Sequence, residues 1–245
     1  MSPHSLFISD LHLCPTRPHV TQLFLHFLKH TATGAEALYV LGDLFEYWAG
    51  DDNLNDPFNS KIANAFASLA DRGTTVYLMH GNRDFLMGNA FAQACHLSLL
   101  ADPVLIDLYG TSTLLTHGDT LCTDDTDYQA FRVKVRDPAW QAAFLAQPLA
   151  QRKATIEELR RKSETEKQFK PSAIMDVNPD AVNALLEKHG YPPRIIHGHT
   201  HRPAQHTLQL NGKAYERWVL PAWEENGGGY LHCDSAGCTS FSVNP

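Results

Sequence analysis

The sequence predicts an α/β fold interrupted by a helical insertion, and three observations lead there. In the N-terminal half, short apolar runs alternate with segments of helical period. Five strand-like runs end in loops that carry Asp, Asn or His, four of them also Gly; in an open α/β sheet the loops beyond the carboxyl ends of the strands form the ligand crevice. From 125 to 170 no strand-like run occurs, and helix formers and basic residues dominate.

The elements follow in order. Residues 5–9, 37–41, 75–79 and 112–116 read as strands, apolar enough to be covered on both faces as in βαβ units. Amphipathic helices are expected at about 19–30 and 57–72, and a shorter one near 88–96. Residues 103–108 and 111–116, joined at Tyr109-Gly110, form a hairpin that ends the alternation. The helical stretch that follows is broken at Asp137-Pro138 and Pro148. A helix starts after Asn178, with Pro179 in its first turn, and stops at His189-Gly190. Strands are then expected at 194–197, about 205–210, 214–219, 229–233 and 238–243, with Gly227-Gly228-Gly229 in a turn.

At 245 residues the chain buries enough surface to need no disulfide or structural metal. Its net charge of −7 argues against nucleic acid as a partner, but the charge is unevenly placed. Residues 132–170 carry ten Lys/Arg against five acids, a net +5, so the remainder carries −12. The five cysteines (Cys14, Cys95, Cys122, Cys233, Cys238) have no CxxC spacing and are expected to be reduced thiols in a cytoplasmic protein. No apolar run is long enough to cross a membrane.

The chemistry lies at the strand ends: Asp10-Leu11-His12, Gly42-Asp43, Gly81-Asn82-Arg83-Asp84, His117-Gly118-Asp119 and His197-Gly198-His199. Asp10/His12 and His197/His199 are i, i+2 pairs, which in extended backbone project to one side. All seven candidate ligands (Asp10, His12, Asp43, Asn82, His117, His197, His199) are oxygen or nitrogen donors, which points away from iron–sulfur or thiolate zinc sites. Seven is too many for one catalytic ion. If Asp43 bridges, two ions receive four protein ligands each, the arrangement suited to hydrolysing phosphate esters. His201 extends the run but is not expected among the ligands. The other histidines (His4, His19, His26, His30, His80, His96, His189, His206, His232) and the two cysteines beside the ligand loops, Cys14 and Cys122, are expected to pack or face solvent.

Ligand spacing marks the insertion independently. Successive ligands stand 33, 39 and 35 residues apart from Asp10 to His117, but His117 and His197 are separated by 80. Tyr128, Phe131, Val135, Trp140, Phe144, Ile156 and Leu159 have helical spacing in it. They either bury the insertion against the body or line a cleft for acyl chains.

These motifs in this order, from Asp10 to His199, resemble the calcineurin-like metallophosphoesterase superfamily. Within it the chain is similar to the UDP-2,3-diacylglucosamine hydrolase family of lipid A biosynthesis, through SDLHLCP at 9–15, GDLFEYWAGDD at 42–52, GNRDF at 81–85, LTHGDTLCTDD at 115–125 and IMDVN at 174–178. Where the superfamily usually has His, this chain has Arg83, the residue expected in the hydrolase family. The resemblance implies a four-layer α/β/β/α sandwich, with residues 1–124 and 171–245 as core and 125–170 as a helical lid. It implies hydrolysis of the pyrophosphate of UDP-2,3-diacylglucosamine to UMP and 2,3-diacylglucosamine 1-phosphate, by water activated by two metal ions and attacking the α phosphorus. Two Mn²⁺ ions are implied, one on Asp10, His12, Asp43 and His199, the other on Asp43, Asn82, His117 and His197. Asp43, Asn82, Arg83 and His117 would be catalytic. Asn82, Arg83, Asp125, Ser163, Lys167, Lys170 and His197 would touch substrate. It also implies peripheral association with the cytoplasmic side of the inner membrane, with no obligate protein partner. Two alternatives are a soluble nucleotide phosphodiesterase or protein phosphatase of the superfamily, and a metal-binding scaffold without catalysis.

Overall fold

The computed structural model describes residues 2–167, 172–210 and 212–244. Two sheets form from the expected runs. One has six strands in the order β11-β10-β1-β2-β3-β4: β1 (Ser5–Ile8), β2 (Ala37–Leu41), β3 (Thr75–Met79), β4 (Leu97–Leu100), β10 (Gly228–Asp234) and β11 (Gly237–Val243). The other has five in the order β5-β6-β7-β9-β8: β5 (Val104–Leu108), β6 (Thr111–Leu115), β7 (Arg194–His197), β8 (Ala204–Leu210) and β9 (Lys213–Val219). β1 to β4 run parallel, as do β6, β7 and β9, so the ligand loops after β1, β2, β3, β6 and β7 all leave carboxyl ends.

Strand alternation builds the layers. Leu6, Ile8, Leu38, Val40, Val76 and Leu78 pack with Phe24 and Phe27 of α1 (Pro18–His30) and Phe66 of α2 (Pro57–Ala70). Their neighbours Phe7, Leu41 and Met79 turn the other way and meet Leu115, Ile196 and Trp218 of the second sheet. On that sheet's far face, Leu114 and Ile195 pack against Val182 and Leu186 of α7 (Pro179–Lys188). The result is a four-layer α/β/β/α sandwich, as the fold class expected. The helix starts follow local chemistry: Asp56 accepts from Phe58 N and Asn178 from Asp180 N, each with Pro at the next position.

Between β6 and β7 stand α4 (Thr126–Arg136), α5 (Pro138–Leu145) and α6 (Leu149–Lys167). Asp125 and Asp137 cap the first two, accepting from Tyr128 N and Trp140 N. A short α3 (Asn89–Ala94) precedes β4.

Three sequence expectations need correction. β4 was not expected, because this edge strand is only partly buried and lacks alternation. Gly228 and Gly229 lie in β10, not in a turn; the ring of buried Trp223 occupies the place a Cβ at Gly228 would take. Cys233 and Cys238 are not reduced thiols. They face each other directly across the β10–β11 pair and are joined in a disulfide, leaving Cys14, Cys95 and Cys122 free.

Candidate metal centre

The strand-end loops are fastened to one another through their backbones. Asp10 N donates to Gly42 O at 3.1 Å and His12 N to Asp43 O at 3.0 Å. Gly42 and Gly81 pack so closely that a Cβ on Gly81 would strike the Asp43 carboxylate. Asp84 joins the same two loops, accepting from Leu44 N at 2.7 Å and Gly81 N at 2.8 Å. Asp10, His12, Asp43, His199 and His201 all have left-handed backbone, with φ between 49° and 67°. Asp10 and His12 therefore share a site through left-handed turns and not through extended backbone, the geometry expected from their spacing. Asp and His tolerate that region better than most side chains.

Two sets of donors result. Asp10, His12 and His201 form one, and Asp43, His117 and His199 the other, each with its ligand atoms within 4.8 Å of one another. Asp43 faces both: Oδ2 is 3.8 Å from His12 Nε2, and Oδ1 is 3.9 Å from His117 Nε2. Asn82 Oδ1 stands 3.2 Å from His117 Nε2. The structure thus brings together six of the seven expected ligands, with His199 beside Asp43 and His117 and with His201 added. His197 is in neither set, though it feels the charges of Asp10 and His117. Its Nδ1 is 2.9 Å from Gly198 O, and its Nε2 is 3.1 Å from Arg217 Nη1. His117 Nδ1 is 2.8 Å from Leu41 O, the type of contact that fixes a ligand histidine's orientation.

The electrostatics suit cations. Asp10 and Asp43 are 0% and 2% exposed. Burial pushes Asp43 up, reinforced by Asp84 and Asp10 against the opposing pull of His117. Burial would also raise Asp10, but His201, His117 and His12 outweigh it and hold the carboxyl well below its usual range. His12, His197 and His199 are pushed down by burial, the last two to about 4 and about 3, so their rings stay neutral as metal ligation requires. His117 goes the other way, up to about 9, because Asp43, Asp10 and Asp119 overcome the cost of burying it. His12 Nδ1 is buried without a hydrogen bond. Buried carboxylates among imidazoles that are neutral at His12 and His199, all oxygen and nitrogen donors, fit two divalent cations, and a cation there would replace the proton that the carboxylates hold on His117.

A cavity of about 640 Å³ opens beside these sets. Asn82, Arg83, His199 and His201 line one part of it; Tyr128, Phe131, Val135, Trp140, Phe144, Ile156 and Leu159 line another, together with Asp125 and Ser163. All seven residues of the apolar stripe therefore reach the cavity, while Trp140, Phe144 and Ile156 also pack against the main core. Lys170 lies outside the described residues, as does the side chain of Lys167.

Sequence reasoning missed several groups. His201 stands 3.3 Å from Asp10 Oδ1, and its signal was the unbroken GHTH run. Asp119 is fully buried and accepts from Tyr128 Oη at 2.6 Å and Arg132 Nε at 2.7 Å, tying α4 to the loop that carries His117. Arg217 and Glu46 had no spacing signal, since only the fold brings them near.

Residues 4–203 match the family model described as calcineurin-like phosphoesterase. The UDP-2,3-diacylglucosamine hydrolase of Aromatoleum aromaticum is 55% identical over 233 residues, covering 95% of this chain and 94% of that one. Proteins of the same name from Cellvibrio japonicus and Stenotrophomonas maltophilia are 49% and 50% identical, over 91% and 95% of this chain and 92% and 96% of theirs. Among solved structures, a dimetal phosphatase from Danio rerio has a TM-score of 0.50 at 11% identity, covering 99% of this chain and 98% of that one, a likeness of fold alone. The chain belongs to the calcineurin-like phosphoesterases and, within them, to the family whose curated members are named UDP-2,3-diacylglucosamine hydrolase.

Proposed function

We propose that this protein is a metal-dependent hydrolase that cleaves the pyrophosphate of UDP-2,3-diacylglucosamine to UMP and 2,3-diacylglucosamine 1-phosphate. The observation that carries this reading is one cavity with Asn82, His199, His201 and Arg83 at one part and seven apolar side chains at another. That lining matches a ligand with both a diphosphate and fatty chains.

Asp10, His12, Asp43, Asn82, His117, His197 and His199 would hold two ions, for which Mn²⁺ suits the mixed carboxylate and imidazole donors. Bound there, the ions would supply Lewis acidity to the phosphoryl oxygens and lower the pKa of water. Asp43, with an oxygen toward each set, is the natural bridge. Arg83 and Asn82 would donate to phosphoryl oxygens, and a guanidinium can do so in a bidentate fork without giving up its proton. No proton donor is needed at the leaving group, because a phosphate monoester with a second pKa of about 6 departs readily as an anion. Arg in place of the superfamily's His therefore suits an anhydride. Asp125, Ser163, Lys167, Lys170 and His197 would supply the remaining polar contacts.

Residues 125–170 would act as a lid on the core formed by 1–124 and 171–245. Among the described residues no helix is long and apolar enough to cross a membrane. Phe131, Val133 and Leu159 are exposed on α4 and α6, both rich in Lys and Arg, a combination that favours peripheral contact with an anionic bilayer, here the cytoplasmic side of the inner membrane.

Purified protein with Mn²⁺ should release UMP from the diacylated UDP-sugar far faster than it hydrolyses bis-p-nitrophenyl phosphate. Turnover of the generic diester alone would overturn the substrate, and would favour the soluble phosphodiesterase instead. Asp43→Ala should lower turnover by at least about 10³-fold, the scale of losing metal-assisted stabilisation. Co-flotation with anionic but not neutral vesicles is expected, and its absence would remove the membrane from the reading.

A further inference from the structure

Glu46 is a carboxylate placed where an anionic substrate would enter. It stands four residues beyond Gly42, its side chain 16% exposed, and it lines the cavity beside Arg83 and Asn82. A lone carboxylate there should repel a diphosphate, so its presence calls for a physical reason. Its contacts supply one. Oε1 takes an ion pair from Arg160 Nη2 of α6 at 2.6 Å and lies 3.8 Å from Arg83 Nη1. Oε2 is 3.4 Å from His12 Nδ1. Arg160 also lies over the Tyr47 ring, its guanidinium carbon 5.8 Å from the centroid.

We propose that Glu46 is a positioning residue: it clasps α6 to the metal centre through Arg160 and holds Arg160 where it can meet the part of the substrate's diphosphate that a small diester lacks. The contrast with the neighbouring α4 shows why α6 needs such a clasp. α4 is fixed by the buried Asp119 with Tyr128 and Arg132, and by Arg136 Nη2 donating to Gly81 O at 2.8 Å. α6 is fixed near its start, where buried Arg152 donates to Ala49 O and pairs with Asp52. Two turns further on, Arg160 to Glu46 joins the part of α6 that lines the cavity to the loop after β2. The Arg152 pair lies away from the phosphate site and has no reason to exchange. The Glu46 pair is partly exposed and lies on the cavity wall, so incoming phosphate oxygens can share the Arg160 guanidinium while the carboxylate keeps it in place.

This inference rests on the proposed diphosphate-lipid substrate, and the test separates the two. Glu46→Gln keeps the shape and removes the charge; Arg160→Gln removes the partner; the double variant closes a cycle. Each is assayed, Mn²⁺-loaded, on the diacylated UDP-sugar and on bis-p-nitrophenyl phosphate, which is too small to need α6. If the wild type fails on the lipid, the proposed substrate falls, whatever the variants do. Given wild-type turnover, Glu46→Gln should raise KM for the lipid about tenfold, the size of one charge-assisted hydrogen bond, and leave kcat and the small diester within about twofold. The double variant should be no worse than the poorer single one. An unchanged or lower KM would overturn the clasp, since Glu46 would then only repel substrate. Equal losses on both substrates would place its effect at His12 and the ions, and additive losses would show that Glu46 and Arg160 act separately; either also overturns it. Hydrogen exchange without substrate is a second readout: Glu46→Gln should accelerate exchange along the second half of α6 and leave α4 unchanged, and equal rates would refute the docking.

Discussion

Burial keeps His197 and His199 neutral, with pKa values of about 4 and about 3 against an ordinary 6.5. His12 is depressed in the same direction. Between roughly pH 4 and 6.5 the unfolded chain therefore binds protons that the folded chain refuses, and stability must fall as pH drops through that window. Asp43, raised to about 7, works oppositely there, and His117, raised to about 9, does so near the top of the window, but the three depressed imidazoles outweigh them. The metal-free protein should accordingly melt at a lower temperature at pH 5 than at pH 6.5, and a flat profile would show that these rings are not desolvated. At this scale the identities of the donors were readable from residue type and spacing. Their left-handed backbone was not, because φ at Asp10 or His12 is set by hydrogen bonds between loops far apart in sequence. The same reason hid Arg217, which reaches His197 from a neighbouring strand.

At the scale of elements, the loops after β2 and β3 touch backbone to backbone at Gly42 and Gly81. A methyl group on Gly81 would overlap the Asp43 carboxylate and the Asp43 backbone nitrogen. Gly81→Ala should thus leave the helices and sheets intact but weaken divalent-ion binding by at least tenfold, measured by calorimetry, since Asp43 must move. Retained affinity would mean that Asp43 is not a ligand. Strands with continuous apolar runs and helices with Pro at their starts were legible in the chain, because local sterics and burial dictate both. β4 was not, being half exposed and at a sheet edge, nor were Gly228 and Gly229, whose role depends on the distant Trp223 ring. The pairing of Cys233 with Cys238 likewise follows from hairpin register and not from spacing.

At the scale of the molecule, the two sheets meet through Phe7, Leu41, Met79, Leu115, Ile196 and Trp218. That contact is non-directional, so it resists separation better than sliding. At the carboxyl ends the bonding is directional: His199 N donates to Asp10 Oδ2 at 2.8 Å, and His117 Nδ1 meets Leu41 O. The donors span the same seam, with Asp10, His12 and Asp43 from one sheet's loops and His117, His199 and His201 from the other's. Ions gripped from both sides would behave as rivets through a laminate, blocking shear between plies that grease alone would allow. At an ion concentration of 100 Kd such binding stabilises by about 2.7 kcal/mol. Chelation should therefore lower the melting temperature and speed hydrogen exchange at the carboxyl ends of β6 and β7 before the outer strands β5 and β8 respond. Uniform acceleration would mean that the ions stabilise the fold generally and do not pin the joint. A centre built on both plies also makes the reaction geometry answer to their alignment, so a substitution deep between the sheets can detune turnover without touching a ligand.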